Sequence, residues 1–323
     1  MKKLFILCMA LTWTVTLMAQ NISVVTANGA TTLVRSLDDA IAIVNENPGC
    51  VVYLPGGGHS ISDTDNSRIK KKVTIIGIGH RMKGENADGF TTISGHIWFD
   101  AGSDGSAILG CYLTGNVNIV NGVNDVLVRY CNMNDVNVRG SQCKGTVVNQ
   151  CYIRGAAYFN SAEGEFTHNI VPGLVDLDRG TIEYNIFTST TWDSGSGSCA
   201  IRICDDCSIN HNIILDWASS PHSGSNCQVT ANMAKGKWGE DPIDIGNVSW
   251  NDVFVKPSGA NSTSDYHFKE AYNQYENQVG VYVGNQFNDT GLPPVPYIVA
   301  KQIPMETDAT GKLNIKIRVN AGQ

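Results

Sequence analysis

The sequence has few charged side chains, and basic ones are the scarcer kind. Charged residues make up 16% of the 323 residues, with 23 Lys and Arg against 30 Asp and Glu, so that the formal net charge is −7. A composition this poor in charge is not typical of long solvent-exposed helices. The acidic balance argues against nucleic acids and anionic membranes as partners, because both bind clusters of Lys and Arg.

Long apolar runs are also missing, apart from one at the amino terminus. Lys2 and Lys3 precede the stretch LFILCMALTWTVTLM, which contains three Thr and is short for a membrane-spanning helix. A basic head, an apolar middle and the small residue Ala19 before Gln20 are typical of a signal peptide. We therefore expect residues 1–19 to be a signal peptide, no membrane span, and a secreted protein in the periplasm or at the cell surface of a bacterium.

A dinucleotide-binding fingerprint is incomplete in spite of a Gly-x-Gly after a β-branched run. In KKVTIIGIGHRM, Met82 stands where the fingerprint needs a third small residue after Gly77 and Gly79. The residues that follow lack the apolar spacing of a helix. We interpret the two glycines as turn residues with unusual backbone dihedral angles.

What the sequence does contain is an internal repeat of about 20 residues. Cys111, Cys131 and Cys151 occupy the same position in AILGCYL, VLVRYCNM and TVVNQCYI, at intervals of 20 residues. Short runs between Gly, Asn and Asp alternate apolar and polar residues, which is the period of a strand. The repeat frame is continued by apolar residues, the first four of which follow an Asn: Ile170, Ile186, Ile213, Met233 and Val253.

Short strands repeated in register predict an all-β fold, a parallel β-solenoid whose coils stack on one another. Equivalent side chains would form files along the axis, with apolar residues inside and Asn amides stacked at a corner. Cys111, Cys131 and Cys151 would be one file of buried thiols. Oxidation of one neighbouring pair to a disulfide is the alternative, because stacked coils are close enough for that bond.

A helix is predicted before the first coil, with Ser36 as its N-cap and Pro48 and Gly49 after its end. Its apolar side chains would plug the open end of the solenoid, and they are Leu37, Ala40, Ile41 and Val44. The predicted organisation is a signal peptide at 1–19, an amino-terminal cap and first strand at 20–68, the β-helix at 69–290, and a tail with one or two strands at 291–323.

Three stretches resemble known proteins. SLDDAIAIVNENPGCVVYLPGGGHSIS and KKVTIIGIGHR resemble the amino-terminal region of right-handed parallel β-helix proteins of the pectate lyase-like superfamily. NDVFVKPSGANSTSDYHFKEAYNQYENQVGVYVGN and LPPVPYIVAKQIPMETDATGKLNIKIRVNAGQ are similar to the closing coil and tail of secreted β-helix proteins of gut Bacteroidetes. The resemblance implies a right-handed, single-stranded parallel β-helix with an N-terminal capping helix. It also implies a link to acidic polysaccharides, which many members cleave.

The catalytic signatures of that superfamily are not found in the sequence. Elimination from a uronate needs an Arg or Lys base, often with Ca²⁺ held by carboxylates, and hydrolysis needs paired carboxylates. The WiDH and R-x-P-x-x-R signatures of one pectate lyase family are absent, as are the Asp-Asp and Gly-His-Gly signatures of the galacturonase type. Arg139 and Arg202 remain as candidates for a base, with Asp205 and Asp206 among the candidate acids.

A polar ribbon is predicted on the strand that follows each repeat position, in NVNIV, DVNVRG, AAYFN and LVDLDRG. Stacked aromatic, amide and acidic side chains suit an extended sugar chain, although any solenoid must present some solvated face. Two acids of the ribbon, Asp176 and Asp178, are also candidate Ca²⁺ ligands. The candidate substrate-binding residues are Asn137, Arg139, Tyr158, Asn160, Asp176 and Asp178.

Two further groups of residues are candidates for a site. Cys199, Cys204 and Cys207 have a spacing that zinc could use with His211, but a disulfide or stacked thiols are the alternatives outside the cytoplasm. Two polar loops could flank a groove, and the residues in them are Trp192, Asp193, Trp217 and His222.

Three functions are compatible with these patterns. The first is a secreted β-helix protein that binds polysaccharide without turning it over. The second is a Ca²⁺-assisted polysaccharide lyase that acts on uronic polysaccharides by β-elimination. The third is a structural or adhesive surface protein.

Overall fold

Three parallel sheets wind into a β-solenoid of about eight turns. The computed structural model describes residues 21–81, 89–189, 191–193, 197–216, 222–260, 263–284, 287–302, 311–312 and 316–320, so the expected signal peptide lies outside them. No helix in the described ranges has the length and apolar character to cross a membrane. The all-β parallel solenoid predicted from the repeat is confirmed.

The first face is a sheet of 11 strands, and an antiparallel hairpin forms its outer edge. Its coils stack in parallel with Val128 beside both Ile108 and Val148. The strands are Ile22–Val25, Thr31–Val34, Cys50–Tyr53, Val73–Ile76, Ala107–Leu109, Leu127–Arg129, Thr146–Asn149, Gly164–Thr167, Thr181–Glu183, Ser208–Asn210 and Gln228–Thr230.

The other two faces have fewer strands than the first. The second face has 10 strands: Gly57–Ser60, Thr91–Ser94, Tyr112–Leu113, Asn132–Met133, Tyr152–Ile153, Ile170–Val171, Ile186–Phe187, Ile213–Ile214, Met233–Ala234 and Ile243–Asp244. The third face has 6 strands: Ile97–Phe99, Val117–Val120, Val136–Arg139, Ala156–Ala162, Gly173–Leu177 and Ile201–Arg202. Alternate residues of the regular strands point inward, and together they form one continuous apolar core.

The corner between the first and second faces is built by a residue in the left-handed backbone conformation on successive coils. Their φ values lie between 52° and 67°, in Gly110, Tyr130, Gln150, His168, Tyr184, His211 and Ala231. The next residue turns inward at this corner. This inward residue is Cys in three coils and Asn in four later ones. The pairing of Tyr152 with Ile170 shows that the Asn residues continue the Cys file, since it places Asn169 beside Cys151.

The predicted Asn ladder is confirmed, and it lies in the interior. Asn169 Nδ2 donates to Asn185 Oδ1 at 3.1 Å, and the same bond at 3.0 Å joins Asn185 to Asn212 and Asn212 to Asn232. All four side chains are fully buried. Each amide also donates to a backbone carbonyl, such as that of Phe166 for Asn185, so the burial of these polar groups is compensated.

The predicted repeat frame is wrong by one residue after Cys151. The file that begins with the three Cys continues with the four Asn, whereas Ile170, Ile186, Ile213 and Met233 point outward from the second face. Val253 belongs to no coil and lies in a helix, Trp250–Val253. In each of these coils the Asn and the apolar residue after it are both compatible with an alternating pattern. Only the register of the strand pairing shows that the Asn is the one that faces the interior.

The cysteine file is confirmed. Cys111, Cys131 and Cys151 are buried and lie on successive coils, since Asn132 N donates to Cys111 O and Tyr152 N donates to Cys131 O. All three are free thiols. Burial raises the pKa of the Cys131 thiol to about 12, so these thiols are protonated and behave as small apolar groups.

Helix α1, Leu37–Glu46, begins at Ser36, whose side chain accepts a hydrogen bond from Asp39 N at 3.1 Å. Its buried residues are the four expected from the helical spacing, Leu37, Ala40, Ile41 and Val44. They join the same apolar core as the coils. Asn45 fixes the helix to the next segment by hydrogen bonds to Arg68 O and Lys70 N.

The outer surface of the second face is covered from Tyr152 to Met233 by the described residues of segment 248–293, which we call the covering arm. The arm contains helix α2 (Trp250–Val253), an antiparallel pair (Phe254–Lys256 with Asp265–Phe268) and a 3₁₀ helix (Glu270–Tyr275). Its apolar side chains pack on the outward residues of the second face in a separate cluster that includes Tyr152, Phe254, Tyr266, Phe268 and Val281.

After the covered strands, the arm runs back along the corner toward the first coils. Gly280 N bonds to His211 O, Val283 O contacts His168 Nε2 at 3.0 Å, and Asn288 N bonds to Gln150 Oε1. Strands that pair in parallel run from Cys50–Tyr53 to Ile243–Asp244. In the predicted tail, Tyr297–Gln302 pairs with Lys316–Asn320 in an antiparallel hairpin.

The two glycines of the Gly-x-Gly have different roles. Gly79 has a φ of +100°, as a turn glycine should. Gly77 does not have a positive φ, so the expectation of an unusual dihedral angle is wrong for it. A Cβ on Gly77 would lie 2.4 Å from Gly110 O and 2.8 Å from Cys111 Sγ. The position requires glycine because the next coil approaches closely.

Candidate functional site

The outward side chains of the third face differ from those of the second face, which the arm buries from Tyr152 to Met233. Most are half-buried or exposed, and they stack in register from coil to coil. The parallel bridge between Ile69 and Phe99 extends the register to the preceding coil and places Arg68 beside Trp98. We call the resulting file the third-face row, and it consists of Arg68, Trp98, Asn118, Asn137 and Tyr158.

Trp98 is the centre of the contacts at the start of this row. The guanidinium carbon of Arg68 lies 4.5 Å from the ring centroid, and that of Arg139 lies 4.6 Å from it. The indole Nε1 donates to Asp63 Oδ1 at 3.0 Å. Arg68 also forms ion pairs with Asp65 and Asp100, whereas Arg139 is exposed and contacts a ring and an amide. Two cation–π contacts thus orient both cations on the face.

Asn118 organises the middle of the row. Its side chain is buried, and its Oδ1 accepts from Asn137 Nδ2 at 3.2 Å and from Arg139 Nη2 at 3.1 Å. The second bond holds the guanidinium of Arg139 across two coils toward Trp98. The structure therefore brings the predicted residues Asn137 and Arg139 together, on a buried amide.

Tyr158 lies next to Asn137 in the register and is half-buried. Three coil steps separate it from Trp98, a distance of about 14 Å along the axis. Asn160, also predicted for this surface, does not continue the row. It has a φ of +48°, and its Nδ2 donates to Val138 O at 2.7 Å. Asn160 thus stabilises the end of a bulge in the strand.

The predicted pair Asp176 and Asp178 does not extend the ribbon as expected. The register shifts between Tyr158 and Ala162, and it is the backbone of Val175 that pairs with Tyr158. Asp176 has a φ of +58°, which allows Leu174 and Leu177, three residues apart, both to be buried. The prediction depends on a strict two-residue alternation in this strand, and the bulge breaks that alternation.

Asp178 lies at another place, a corner where it bridges to Asp205 of the next coil. Burial and the neighbouring carboxylate of Asp205 raise the pKa of Asp178. The pKa of Asp205 is lowered, because the hydroxyl and the backbone N–H of Ser225 both donate to its Oδ1 at 2.6 Å. The two acids are neighbours with opposite shifts in pKa.

The two candidate bases are far apart. The register runs from Asn137 through Tyr158 and Val175 to Arg202, so Arg202 is three coil steps from Asn137. This separation is about 14 Å along the axis. The described residues contain no group of three or more His, Cys, Asp or Glu side chains placed to hold a metal ion.

The residues considered for zinc are dispersed among other contacts. Cys204 Sγ donates to Arg202 O at 3.7 Å, Cys207 Sγ donates to Asp205 O at 3.3 Å, and Cys199 Sγ lies 3.8 Å from Ser223 Oγ. The ring of His211 stacks on Tyr184, with centroids 5.0 Å apart.

The loops predicted to flank a groove are described only in part. Trp192 and Asp193 belong to an antiparallel hairpin, Thr191–Asp193 with Gly197–Cys199, and Trp217 lies outside the described residues. His222 lines a cavity of about 540 Å³ at the last coil, where Trp238 Nε1 donates to its Nδ1 at 2.9 Å. A second cavity, of about 280 Å³, lies beside the arm and is lined by Arg81, Val255, Lys256, Thr263, Ser264, Asp265, Asp289 and Thr290.

No protein-family model, curated protein or solved structure matches the chain.

Sequence reasoning missed Arg68, Trp98 and Asp63 as parts of the surface. The alternation in IWF places Trp98 outward between buried Ile97 and Phe99, so that part of the signal was present. Arg68 belongs to no strand, and only the coil stacking shows that it precedes Trp98.

Proposed function

We propose that the protein binds an extended polysaccharide along the third face and does not turn it over. The observation that supports this proposal most is the third-face row, in which two aromatic side chains and two amides follow one another along the axis, with the exposed Arg139 beside them. Successive coils present one contact every 4.8 Å or so, which suits a polymer that lies parallel to the axis.

The row and the neighbouring Arg139 offer three kinds of contact to a sugar chain. The Tyr158 ring presents an apolar face together with a polar hydroxyl. The amide of Asn137 can donate to and accept from sugar hydroxyls. The Arg139 guanidinium is held flat by Asn118 and Trp98 and can bind a carboxylate with two donors. We infer a preference for sugars that carry carboxylates.

Binding is favoured over elimination by where the candidate groups lie. A lyase needs a base and charge-neutralising groups around one sugar unit. Arg139 and Arg202 are several coils apart, and the strand bulge separates Asp176 from the row. The Ca²⁺-assisted lyase and the adhesive protein therefore become alternatives that the experiment below distinguishes.

The solenoid also supports the proposed kinship with the pectate lyase-like superfamily, to which the sequence stretches pointed. A secreted location is part of the same proposal, since such polysaccharides lie outside the cell. Detection of a chain that begins at Gln20 in a culture supernatant or periplasmic extract is the test of that part.

The binding test uses the full chain with oligogalacturonate and, separately, with a neutral β-glucan oligomer. Tyr158→Ala should weaken both affinities about tenfold, or about 1.4 kcal/mol. Arg139→Gln should weaken only oligogalacturonate binding, and that loss should shrink as salt is raised. The matched control is Tyr53→Ala, which removes a 44% exposed tyrosine from the first face and should change neither affinity.

Each other outcome decides against the proposal. Ultraviolet absorbance from unsaturated products during incubation with polygalacturonate and Ca²⁺ would establish the lyase. Equal affinities for Tyr158→Ala and Tyr53→Ala would remove the third face as the site. Failure of the wild type to bind any polysaccharide on a glycan array would leave the adhesive or structural role.

A further inference from the structure

Three thiols meet at the last coils of the first face. Ser208 pairs with Gln228 in the ladder, and Gln228 N donates to Cys207 O at 2.9 Å, so Cys207 and Cys227 occupy equivalent positions on neighbouring coils. Cys227 Sγ donates to Cys204 O at 2.9 Å, and Cys207 Sγ donates to Leu177 O at 3.3 Å. These contacts place Cys227 directly beside the Cys204–Cys207 pair.

Cys227 differs from the other described cysteines in its exposure. It is half-buried, whereas the remaining eight are buried. It also lines the cavity of about 540 Å³ that opens at the last coil beside His222, Gln228, Trp238 and Glu240. A dissolved reagent can therefore reach this sulfur, whereas Cys207 is buried and does not line the cavity.

The backbone geometry suits a bond between the two sulfurs. Neighbouring parallel strands lie about 4.8 Å apart, which falls within the Cα separations of about 4.4 to 6.8 Å that disulfides span. Both thiols point to the same inner side of the corner. Each donates to the carbonyl two residues before it, Cys207 to Asp205 O and Cys227 to Ser225 O.

We propose that Cys227 is a site of thiol modification, where a small-molecule or protein disulfide forms a mixed disulfide that Cys207 then resolves into a Cys207–Cys227 bond between coils. In the first step the Cys227 sulfur attacks the oxidant disulfide, and one thiol of the oxidant leaves. In the second step the Cys207 sulfur attacks the Cys227 sulfur, and the second oxidant thiol leaves. Two protein thiols are oxidised, one disulfide is reduced to two thiols, and the two protons stay with these products.

The electrostatics of the pair set the relative rates of the steps. Burial raises the pKa of Cys227, so the thiolate needed for the first attack is scarce and this step is slow. The hydrogen bond from Cys204 lowers the pKa of Cys207, which favours the thiolate that performs the second attack. The mixed disulfide should consequently not accumulate in the wild type.

The test is incubation of the folded full chain with oxidised glutathione, followed by intact-mass measurement and peptide mapping. The wild type should lose two hydrogens, gain no glutathione and yield a Cys207–Cys227 peptide pair. Cys207→Ser should instead hold one glutathione on Cys227. Cys227→Ser should form neither the glutathione adduct nor an intramolecular disulfide. The matched control Cys131→Ser removes a thiol that is also stacked between coils but is buried, and it should behave as the wild type does.

Several results would overturn the proposal. One is a stable glutathione adduct on wild-type Cys227, and another is a disulfide among Cys111, Cys131 and Cys151 in place of the expected one. A third is reaction of Cys227→Ser with oxidised glutathione at the wild-type rate. Circular dichroism establishes that each variant is folded, and the wild-type peptide map decides the pairing even if Cys207→Ser does not fold.

Discussion

Protonation of His80 is expected to destabilise the attachment of the covering arm. His80 is 2% exposed, and its ring meets Tyr152 edge-on with centroids 5.5 Å apart. Its backbone N–H donates to Thr290 O, and Gly291 packs against the ring. Neither ring nitrogen has a hydrogen-bond partner among the described residues. A proton added here would place an uncompensated charge between the coil and the arm.

The size of the effect follows from the shift in pKa. Burial, with the nearby charge of Arg81 acting in the same direction, lowers the pKa of His80 from 6.5 to about 3. Below pH 6.5 the unfolded chain takes up a proton that the folded chain does not, so stability is lost as the pH falls toward 3. The cost is about 1.4 kcal/mol per pH unit, which amounts to about 2.5 kcal/mol between pH values of roughly 7 and 4.5.

The assay is urea unfolding of the wild type and of His80→Phe at both pH values. The substitution keeps a buried ring and removes the titrating group, while the carboxylates and the other histidines stay in both proteins. The wild type should lose about 2.5 kcal/mol more than the variant on acidification. Equal losses in the two proteins would refute the reasoning, because the proton would then bind elsewhere or meet no penalty.

Two further predictions concern the interior. Asn185→Ala removes an amide that hydrogen-bonds to both neighbours in the Asn ladder, so it should lower the free energy of unfolding by at least about 3 kcal/mol, whereas exposed Asn251→Ala should stay within about 0.5 kcal/mol. Similar losses for both in urea unfolding would contradict the importance of the ladder. Gly77→Ala should cost about 1–3 kcal/mol because its Cβ would meet Gly110 O, while Gly58→Ala, with no atom within 4 Å, should be tolerated. A neutral Gly77→Ala would show that the coils can separate at that point.

Much of the architecture could be predicted from the sequence because a solenoid repeats its inward positions. The Cys file, the Asn ladder and the buried face of α1 each follow from periodicity alone. The frame failed after Cys151, where Asn and Ile are adjacent and each is a plausible inward residue. The choice depends on the outer covering of the second face, which the local pattern does not contain.

The candidate site was predictable only where the strands are regular. Asn137, Arg139 and Tyr158 lie on the third face as the alternation indicated. Asn160 and Asp176 occupy left-handed positions of a bulge, and neither residue type signals a bulge by itself. The contacts of Arg139 with Asn118 and Trp98 join three coils, so they could not be read from any one segment.

The covering arm has a consequence for how this molecule folds. A bare solenoid can unravel coil by coil, because each repeat touches only its neighbours. Here residues near the carboxyl end hold coils that were synthesised long before them, from His211 through His168 and Gln150 to His80. These long-range contacts raise the contact order and couple distant repeats, so the coils should unfold in one cooperative transition. Folding should be completed only after the covering arm has been synthesised.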